Sequence, residues 1–178
     1  AAGAAYLETL LQHNPANNYI KSYDELELLI AIDFIREEKW EAALATINKG
    51  LAYNKNNKAL LEQEVTVYAS TGKTTEAIAL VDKLMLLSPG NASLLFKKAG
   101  LLEKEQRFEE AAAISYALYL QHPDVALYRK AYFDEIANAE KVQIMQQQWD
   151  KAIDLYNRAA VTGVPGYFSL LYTLTAYI

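Results

Sequence analysis

Alanine returns at a fixed step of thirty-four positions, at Ala43, Ala77 and Ala111. The residues three positions before these alanines keep the same step, and they are Trp40, Thr74 and Phe108. A fixed step of about 20–50 residues is typical of stacked repeats, in which each unit exposes an apolar stripe that only its neighbours can bury. The step therefore predicts an array of similar units, which strongly limits the folds open to this chain.

Apolar residues within each unit recur at helical spacing, and Gly, Pro and Asn stand between the apolar runs. We find no alternation with a period of two that would indicate a strand, so the prediction is an all-α fold. Ser22 and Glu25 have the spacing of a capping box, which predicts that the second helix begins after Ser22. The predicted helices are 4–13, 24–38, 40–53, 58–70, 74–87, 92–105, 108–121, 125–146, 149–162 and 167–178.

The fourth unit is longer than the others, because the step from Phe108 to Trp149 exceeds the common step by seven positions. The extra residues amount to about two helical turns, so they lengthen the helix after Asp124 and nearly preserve its faces. We predict one array over residues 1–178. It consists of a partial repeat 1–20, repeats at about 24–57, 58–91, 92–125 and 126–166, and an unpaired terminal helix 167–178.

The composition excludes several functional classes. The net charge is −5, without the basic blocks that binding to nucleic acid or to an anionic membrane would need. The chain has no cysteine, which excludes disulfides, and no apolar run long enough to span a membrane. The first five residues lack the features of a signal peptide, although they could follow a cleaved one. We expect a soluble protein of the cytoplasm or the bacterial periplasm.

Three local patterns imitate catalytic or ligand sites. Residues 70–74 resemble the end of a phosphate-binding loop, but Val67 stands where that loop needs glycine, which favours an interhelical turn. His13 and His122 are isolated at predicted helix ends, where a cation suits the helix dipole. Acidic residues near the starts of second helices favour solvated faces, and they are Glu37, Glu38, Glu41, Glu109 and Glu110. We therefore predict no enzyme, no catalytic residue, no metal and no cofactor.

The second helices share a pattern of an aromatic residue, an alanine three positions later and a proline after the helix. The matching sets are Trp40/Ala43, Ala77/Pro89, Phe108/Ala111/Pro123 and Trp149/Ala152. In these residues the sequence resembles the tetratricopeptide repeat (TPR) family over about residues 24–178. It departs from the family because the first helices lack their tryptophan, and Glu64 and Lys98 stand at usually apolar positions. The resemblance implies a right-handed α–α superhelix, a solenoid of stacked antiparallel helix pairs.

The resemblance also implies a function and a site. TPR proteins are non-catalytic scaffolds that bind a protein or peptide, and the first helix of each repeat lines a concave groove. Some TPR proteins bind a C-terminal carboxylate through Lys and Asn side chains of the groove. Here Leu28, Ile32 and Gln63 stand at those positions, which argues against that subclass. The implied groove residues are Leu28, Ile32, Ile35, Glu62, Thr66, Ser70, Phe96, Gly100, Lys104, Lys130 and Asp134.

Other interpretations stay open. The chain could be a secretion-type chaperone that holds an apolar segment of another protein, or a structural periplasmic segment of an envelope or polysaccharide-export assembly. The predicted helix 24–38 is apolar nearly all round, so the stripe of Leu28, Ile32 and Ile35 needs a cover from a partner, a second copy or the N-terminal segment. The helix 167–178 is also apolar, which leaves self-association through the two apolar ends open.

Overall fold

The computed structural model describes residues 2–13 and 19–162, and within these residues the chain forms nine α-helices and no strand. The predicted all-α fold is confirmed. The predicted helix 167–178 lies outside the described residues. The helices are α1 (Ala2–His13), α2 (Tyr19–Arg36), α3 (Trp40–Tyr53), α4 (Lys58–Ser70), α5 (Thr74–Leu87), α6 (Ala92–Lys104), α7 (Phe108–Gln121), α8 (Ala126–Met145) and α9 (Trp149–Val161).

Most helix bounds agree with the prediction. α3, α4, α5 and α7 begin and end at the predicted residues, and α6, α8 and α9 differ by at most one residue at either end. α8 is the long helix that the insertion predicts, with 20 residues against 13 in α6. The apolar period and the turn residues are therefore sufficient to locate these helices.

α2 begins earlier than the sequence predicts. Ser22 lies inside the helix, three residues after its first residue Tyr19, so the predicted capping box of Ser22 and Glu25 is wrong. The reason is tertiary packing, because Tyr23 is buried in one cluster with Leu11 of α1, and Ile20 packs against them. Packing of this kind stabilises the first turn without a local cap.

The apolar surface of α2 is covered on two sides. Leu26 and Ile30 pack on the cluster that α2 forms with α1. Ala31 is buried in a second cluster with residues of α3 and α4, among them Ile47 and Leu60. The N-terminal helix therefore covers the face of α2 that carries Leu26 and Ile30, whereas Leu28 and Ile35 of the predicted stripe pack beside the cluster shared with α3 and α4.

The helices group into two compact units, Ala1–Gly90 and Asn91–Ile178. Unit 1 holds α1–α5 and unit 2 holds α6–α9. Three residues join the two helices of each pair, which makes them antiparallel neighbours. The pairs are α2/α3 and α4/α5 in unit 1, and α6/α7 and α8/α9 in unit 2. The division into repeats with the bounds given above stays a prediction.

The small residues of the repeat allow close contact between helices. Ala43, Ala77, Ala111 and Ala152 are all fully buried. Gly50 has the same role where α3 meets α4, because a Cβ added there would lie 2.4 Å from a methyl carbon of Leu60. A larger residue at the alanines would push the packed helices apart, and a side chain at Gly50 would displace that of Leu60.

One three-residue turn joins the two helices of every described pair. In the turn after α6, the N–H of Gln106 donates to the carbonyl oxygen of Glu103, and the N–H of Arg107 donates to that of Leu102, each at 2.9 Å. These are the bonds of a Schellman motif, whose central residue is left-handed. The central residue has a φ of 55–79° in all four turns, at Glu38, Gly72, Gln106 and Gln147.

Replacing Gln106 by glycine is expected to stabilise unit 2 by about 0.5–1 kcal/mol. A non-glycine residue pays a steric cost in the left-handed region, and glycine removes this cost while adding some entropy to the unfolded chain. Urea unfolding followed by circular dichroism measures the effect. The control is Glu105→Gly, where φ is already −81°, and it is expected to destabilise the unit. Loss of stability in Gln106→Gly would show that its side chain makes a larger contribution than its backbone strain.

Candidate functional site

The first helices of the pairs in unit 1, α2 and α4, lie side by side. The predicted groove residues on them are half-buried or exposed, so they are accessible to a partner at least in part. We call this set the unit 1 groove face, and it consists of Leu28, Ile32, Ile35, Glu62, Thr66 and Ser70.

The groove residues of α2 differ in how much they belong to the core. Leu28 and Ile35 pack beside the buried cluster shared with α3 and α4, so part of each side chain is internal. Leu29 is 60% exposed, and it lies about 60° around the helix from Ile32. Leu29 is not among the predicted groove residues, although its three-residue spacing from Ile32 places both residues on one helical face.

A cavity of about 490 Å³ opens at the start of α2 and includes Leu28 of the unit 1 groove face. Its walls come from α2, from the loop between α3 and α4, and from the start of α4. They consist of Ile20, Lys21, Asp24, Glu25, Leu28, Asn54, Asn57 and Ala59. The groove face therefore ends in a recess that holds both apolar and charged groups.

Asp24 organises this recess. Its side chain is 4% exposed, and its Oδ2 accepts hydrogen bonds from the Nδ2 atoms of Asn54 and Asn57, each at 2.8 Å. Asn57 also caps α4, because its Oδ1 accepts a bond from the N–H of Leu60. The carboxylate thus joins α2 to the loop before α4 and fixes the position of both asparagines. From the sequence alone, these two asparagines are expected only to form the turn between two helices.

The predicted groove residues of unit 2 lie on α6 and α8, and we call Phe96, Gly100, Lys104, Lys130 and Asp134 the unit 2 groove face. The ring of Phe96 packs against that of Tyr128, with centroids 5.2 Å apart. A Cβ added at Gly100 would meet nothing within 4 Å, so the space beside it is open. Lys130 and Asp134 form an exposed ion pair at 2.5 Å, which largely cancels their charges.

Comparison with solved structures identifies the architecture. A structure of MamA residues 41 to the end from Desulfovibrio magneticus RS-1 has a TM-score of 0.60 and 19% identity, over 86% of this chain and 92% of that one. The TPR domain of P58(IPK) has a TM-score of 0.56 and 16% identity, over 93% of this chain and 50% of that one. The chain has a TPR-like fold. PilF of Pseudomonas aeruginosa is also similar, with a TM-score of 0.51 and 15% identity over 89% of this chain and 72% of that one.

The predicted fold class, an all-α TPR-like solenoid of helix pairs, is thus confirmed. No family model matches the sequence. No curated protein matches it either. Because the sequence identities are this low, the similarity of the solved structures concerns the fold, and the function of this TPR-like chain has to be argued from its own residues.

Two glutamate side chains of unit 2 are buried although their carboxyl groups can ionise. Glu135 and Glu140 of α8 are each 3% exposed, and one carboxyl oxygen of each has no hydrogen-bond partner among the described residues. Burial raises the pKa of Glu140 to about 7. Burial also raises the pKa of Glu135 to about 7. The nearby Ser115 hydroxyl lowers this pKa, but by less than burial raises it. At neutral pH, Glu135 and Glu140 are therefore each protonated in part of the molecules.

The patterns that imitate chemical sites have structural roles in this TPR-like chain. Gly72 is the left-handed residue of the turn between α4 and α5, as the turn interpretation predicts. His13 contacts the carbonyl oxygen of Thr9 through Nδ1 at 2.8 Å. In the described part of the chain, no three His, Cys, Asp or Glu residues are grouped so that they could hold a metal ion. None of the described helices is long and apolar enough to cross a membrane.

Proposed function

We propose that the chain is a non-catalytic scaffold whose groove faces bind a protein or peptide segment. The observation that carries this proposal is the apolar surface of α2, where Leu29 is exposed and Ile32 is half-buried, on the same helix whose Leu28 lines the cavity. Exposed apolar side chains next to a recess with polar walls are typical of surfaces that bind another chain.

The two sides of the unit 1 groove face contribute differently. On α2, burial of Ile32 or Leu29 under a partner would contribute about 1–2 kcal/mol for each side chain. On α4, Thr66 and Ser70 are small, which leaves room for a segment to lie along the helix. The Thr66 hydroxyl already donates to the carbonyl oxygen of Glu62 at 3.0 Å, so it does not need a partner.

Unit 2 offers a groove face with a different character. Phe96 and Tyr128 supply an aromatic surface, and the space beside Gly100 is open. The same groove face also carries the exposed Lys130–Asp134 ion pair. This mixture suits a segment that presents one apolar side chain among polar ones, because specificity then comes from the polar rim.

The variant Ile32→Glu is expected to weaken peptide binding about tenfold, because a buried apolar contact becomes a buried charge. Ligands are selected from a phage-displayed library of random peptides on the wild-type chain, and their Kd values are measured by fluorescence anisotropy. Leu86→Glu is the matched control, since Leu86 lies on the second helix α5 and is 83% exposed. Its Kd is expected to stay within about twofold of the wild-type value.

The outcome also decides between this proposal and the alternatives. Equal Kd values for Ile32→Glu and Leu86→Glu, with helicity intact by circular dichroism, would exclude the unit 1 groove face and show that Ile32 is only core. The same comparison in unit 2 uses Phe96→Ala with Leu120→Ala as control. A library from which neither unit selects a peptide would favour a structural segment of a larger assembly over a peptide-binding scaffold.

A further inference from the structure

The recess at the start of α2 contains a buried carboxylate that uses only part of its capacity to accept hydrogen bonds. An ionised carboxylate offers about four acceptor sites on its two oxygen atoms. In Asp24, Oδ2 accepts the bonds from Asn54 and Asn57, whereas Oδ1 has no hydrogen-bond partner among the described residues. Because a buried charge is costly unless it is paired, this carboxylate favours a further donor.

The negative charge of Asp24 is not balanced inside the recess. Lys21 is the cation in the cavity wall, but its side chain is 85% exposed and it reaches Glu25 at 3.9 Å. None of the ion pairs among the described residues includes Asp24. Two carboxylates against one ammonium leave the wall with one negative charge in excess, so the recess is complementary to a cation.

The rest of the wall suits a ligand that is apolar for most of its length. Ile20, Leu28 and Ala59 line the cavity together with the polar residues. A lysine or arginine side chain can bury its aliphatic stem against such residues while its charged end meets a carboxylate. The volume of about 490 Å³ lies within the range of cavities that hold ligands.

We propose that the recess binds a lysine or arginine side chain of the segment that lies on the unit 1 groove face, with its charged end beside Asp24. The proposal rests on the proposed binding function of that face and adds the chemical class of its ligand. A cation within about 4–6 Å of a carboxylate stabilises the ionised form. A pair that is shielded from solvent in this way is also screened less by salt than a surface pair.

The geometry of α2 fixes where the basic residue stands in the segment. Asp24, Leu28 and Ile32 follow one another at a spacing of four residues, so they lie on one side of the helix. The rise from Asp24 to Ile32 is about 12 Å along the helix axis. An extended segment advances about 3.3 Å per residue. The basic residue is therefore expected about three to five positions from the apolar residue that covers Ile32.

Peptide variants test the contact without any change in the protein. Peptides selected from the random library on the wild-type chain are expected to carry Lys or Arg at this spacing. Norleucine in place of lysine, or citrulline in place of arginine, removes the charge and keeps the length of the side chain. We expect this replacement to raise the Kd at least about tenfold, measured by fluorescence anisotropy.

A comparison of two protein variants assigns the effect to Asp24. On Asp24→Asn, the same peptide replacement is expected to raise the Kd less than about threefold, because the charge that it pairs with is gone. The matched control is Asp33→Asn, since Asp33 lies on the same helix but is exposed and paired with Arg36. On this control, the replacement is expected to raise the Kd by the same factor as on the wild-type chain.

A second pair of variants leaves Asp24 in place. If Asp24→Asn loses helicity by circular dichroism, Ala59→Lys is compared with Ala59→Gln, because both fill the cavity and only the first adds a cation to its wall. We expect Ala59→Lys to weaken the binding of the basic peptide at least about fivefold more than Ala59→Gln does. Equal Kd values for the two variants would overturn the proposal.

Other outcomes would overturn it as well. Selected peptides without Lys or Arg at the expected spacing would do so, and so would a neutral peptide that binds as tightly as its basic parent. An equal loss of affinity on Asp24→Asn and on the wild-type chain would show that another group binds the cation. In these cases, weaker binding to Ile32→Glu would still support the proposed function, whereas a library that selects no peptide would overturn both.

Discussion

Replacing both Glu135 and Glu140 by glutamine is expected to stabilise unit 2 by about 3 kcal/mol at pH 8 and by little near pH 4. A rise in the pKa of a carboxyl from 4.5 to about 7 corresponds to about 3 kcal/mol of folding free energy in a dry site. We take half of this value for each carboxyl, because the effective dielectric constant inside a protein is higher than that of a dry site. Glutamine keeps the shape of the protonated acid and cannot ionise.

The sign of the pH dependence follows from the direction of the pKa change. The folded chain binds these protons more tightly than the unfolded chain, so the stability contributed by protonation is complete below the unfolded pKa of about 4.5. This contribution to stability is lost as the pH rises from about 4.5 towards 7. Above the folded pKa, it does not change further. The wild-type and double-variant stabilities are therefore expected to converge on acidification.

Urea unfolding at several pH values measures this difference, with Trp149 as the reporter of unit 2 in a Trp40→Phe background. The matched control is Asp124→Asn, because Asp124 is exposed in the loop before α8. The free energy of unfolding of this control is expected to stay close to the wild-type value at every pH. A double variant that is no more stable than wild type at pH 8 would show that both carboxyl groups are solvated and ionise normally.

Replacing Asp24 by alanine is expected to destabilise unit 1 by about 3 kcal/mol. The change removes two hydrogen bonds that the buried Oδ2 atom of Asp24 accepts, each worth about 1.5 kcal/mol, and leaves the amides of Asn54 and Asn57 without this partner. The recess beside the unit 1 groove face should loosen with it, because the carboxylate holds the loop before α4. Trp40, in a Trp149→Phe background, reports the unfolding of unit 1.

Asp33→Ala is the control for this experiment. Asp33 lies on the same helix but is exposed, and it is paired with Arg36 at 3.3 Å, so its loss is expected to cost less than about 0.5 kcal/mol. Asp24→Asn should fall between the two variants, because an amide oxygen can still accept a bond. If Asp24→Ala and Asp33→Ala cost the same, the buried network does not stabilise the unit.

The sequence predicts the parts of this structure that repeat. The alanine step locates the contacts between paired helices, because a small residue is needed wherever two backbones approach. The start of α2 could not be predicted, since the packing of Ile20 and Tyr23 on α1 outweighs the local signal of Ser22.

The candidate site was predicted only in outline. The contacts of Asp24 join residues 30 and 33 positions apart, outside any period of the sequence. The burial of Glu135 and Glu140 could not be predicted either, because charged residues are normally solvated and nothing near them in sequence marks them as exceptions. The binding role of the groove residues stays a prediction, since no partner's contacts define it.

The three-residue turn affects how far the sequence of such a chain can change during evolution. Four different sequences form it, from Thr71-Gly72-Lys73 to Gln146-Gln147-Gln148, and only one of them contains glycine. The bonds that close the turn come from the main chain, so selection does not need to keep any particular side chain there. Substitutions can therefore accumulate between the helices while their antiparallel arrangement persists. An architecture of this kind remains recognisable in three dimensions after its sequence has drifted beyond the reach of family models.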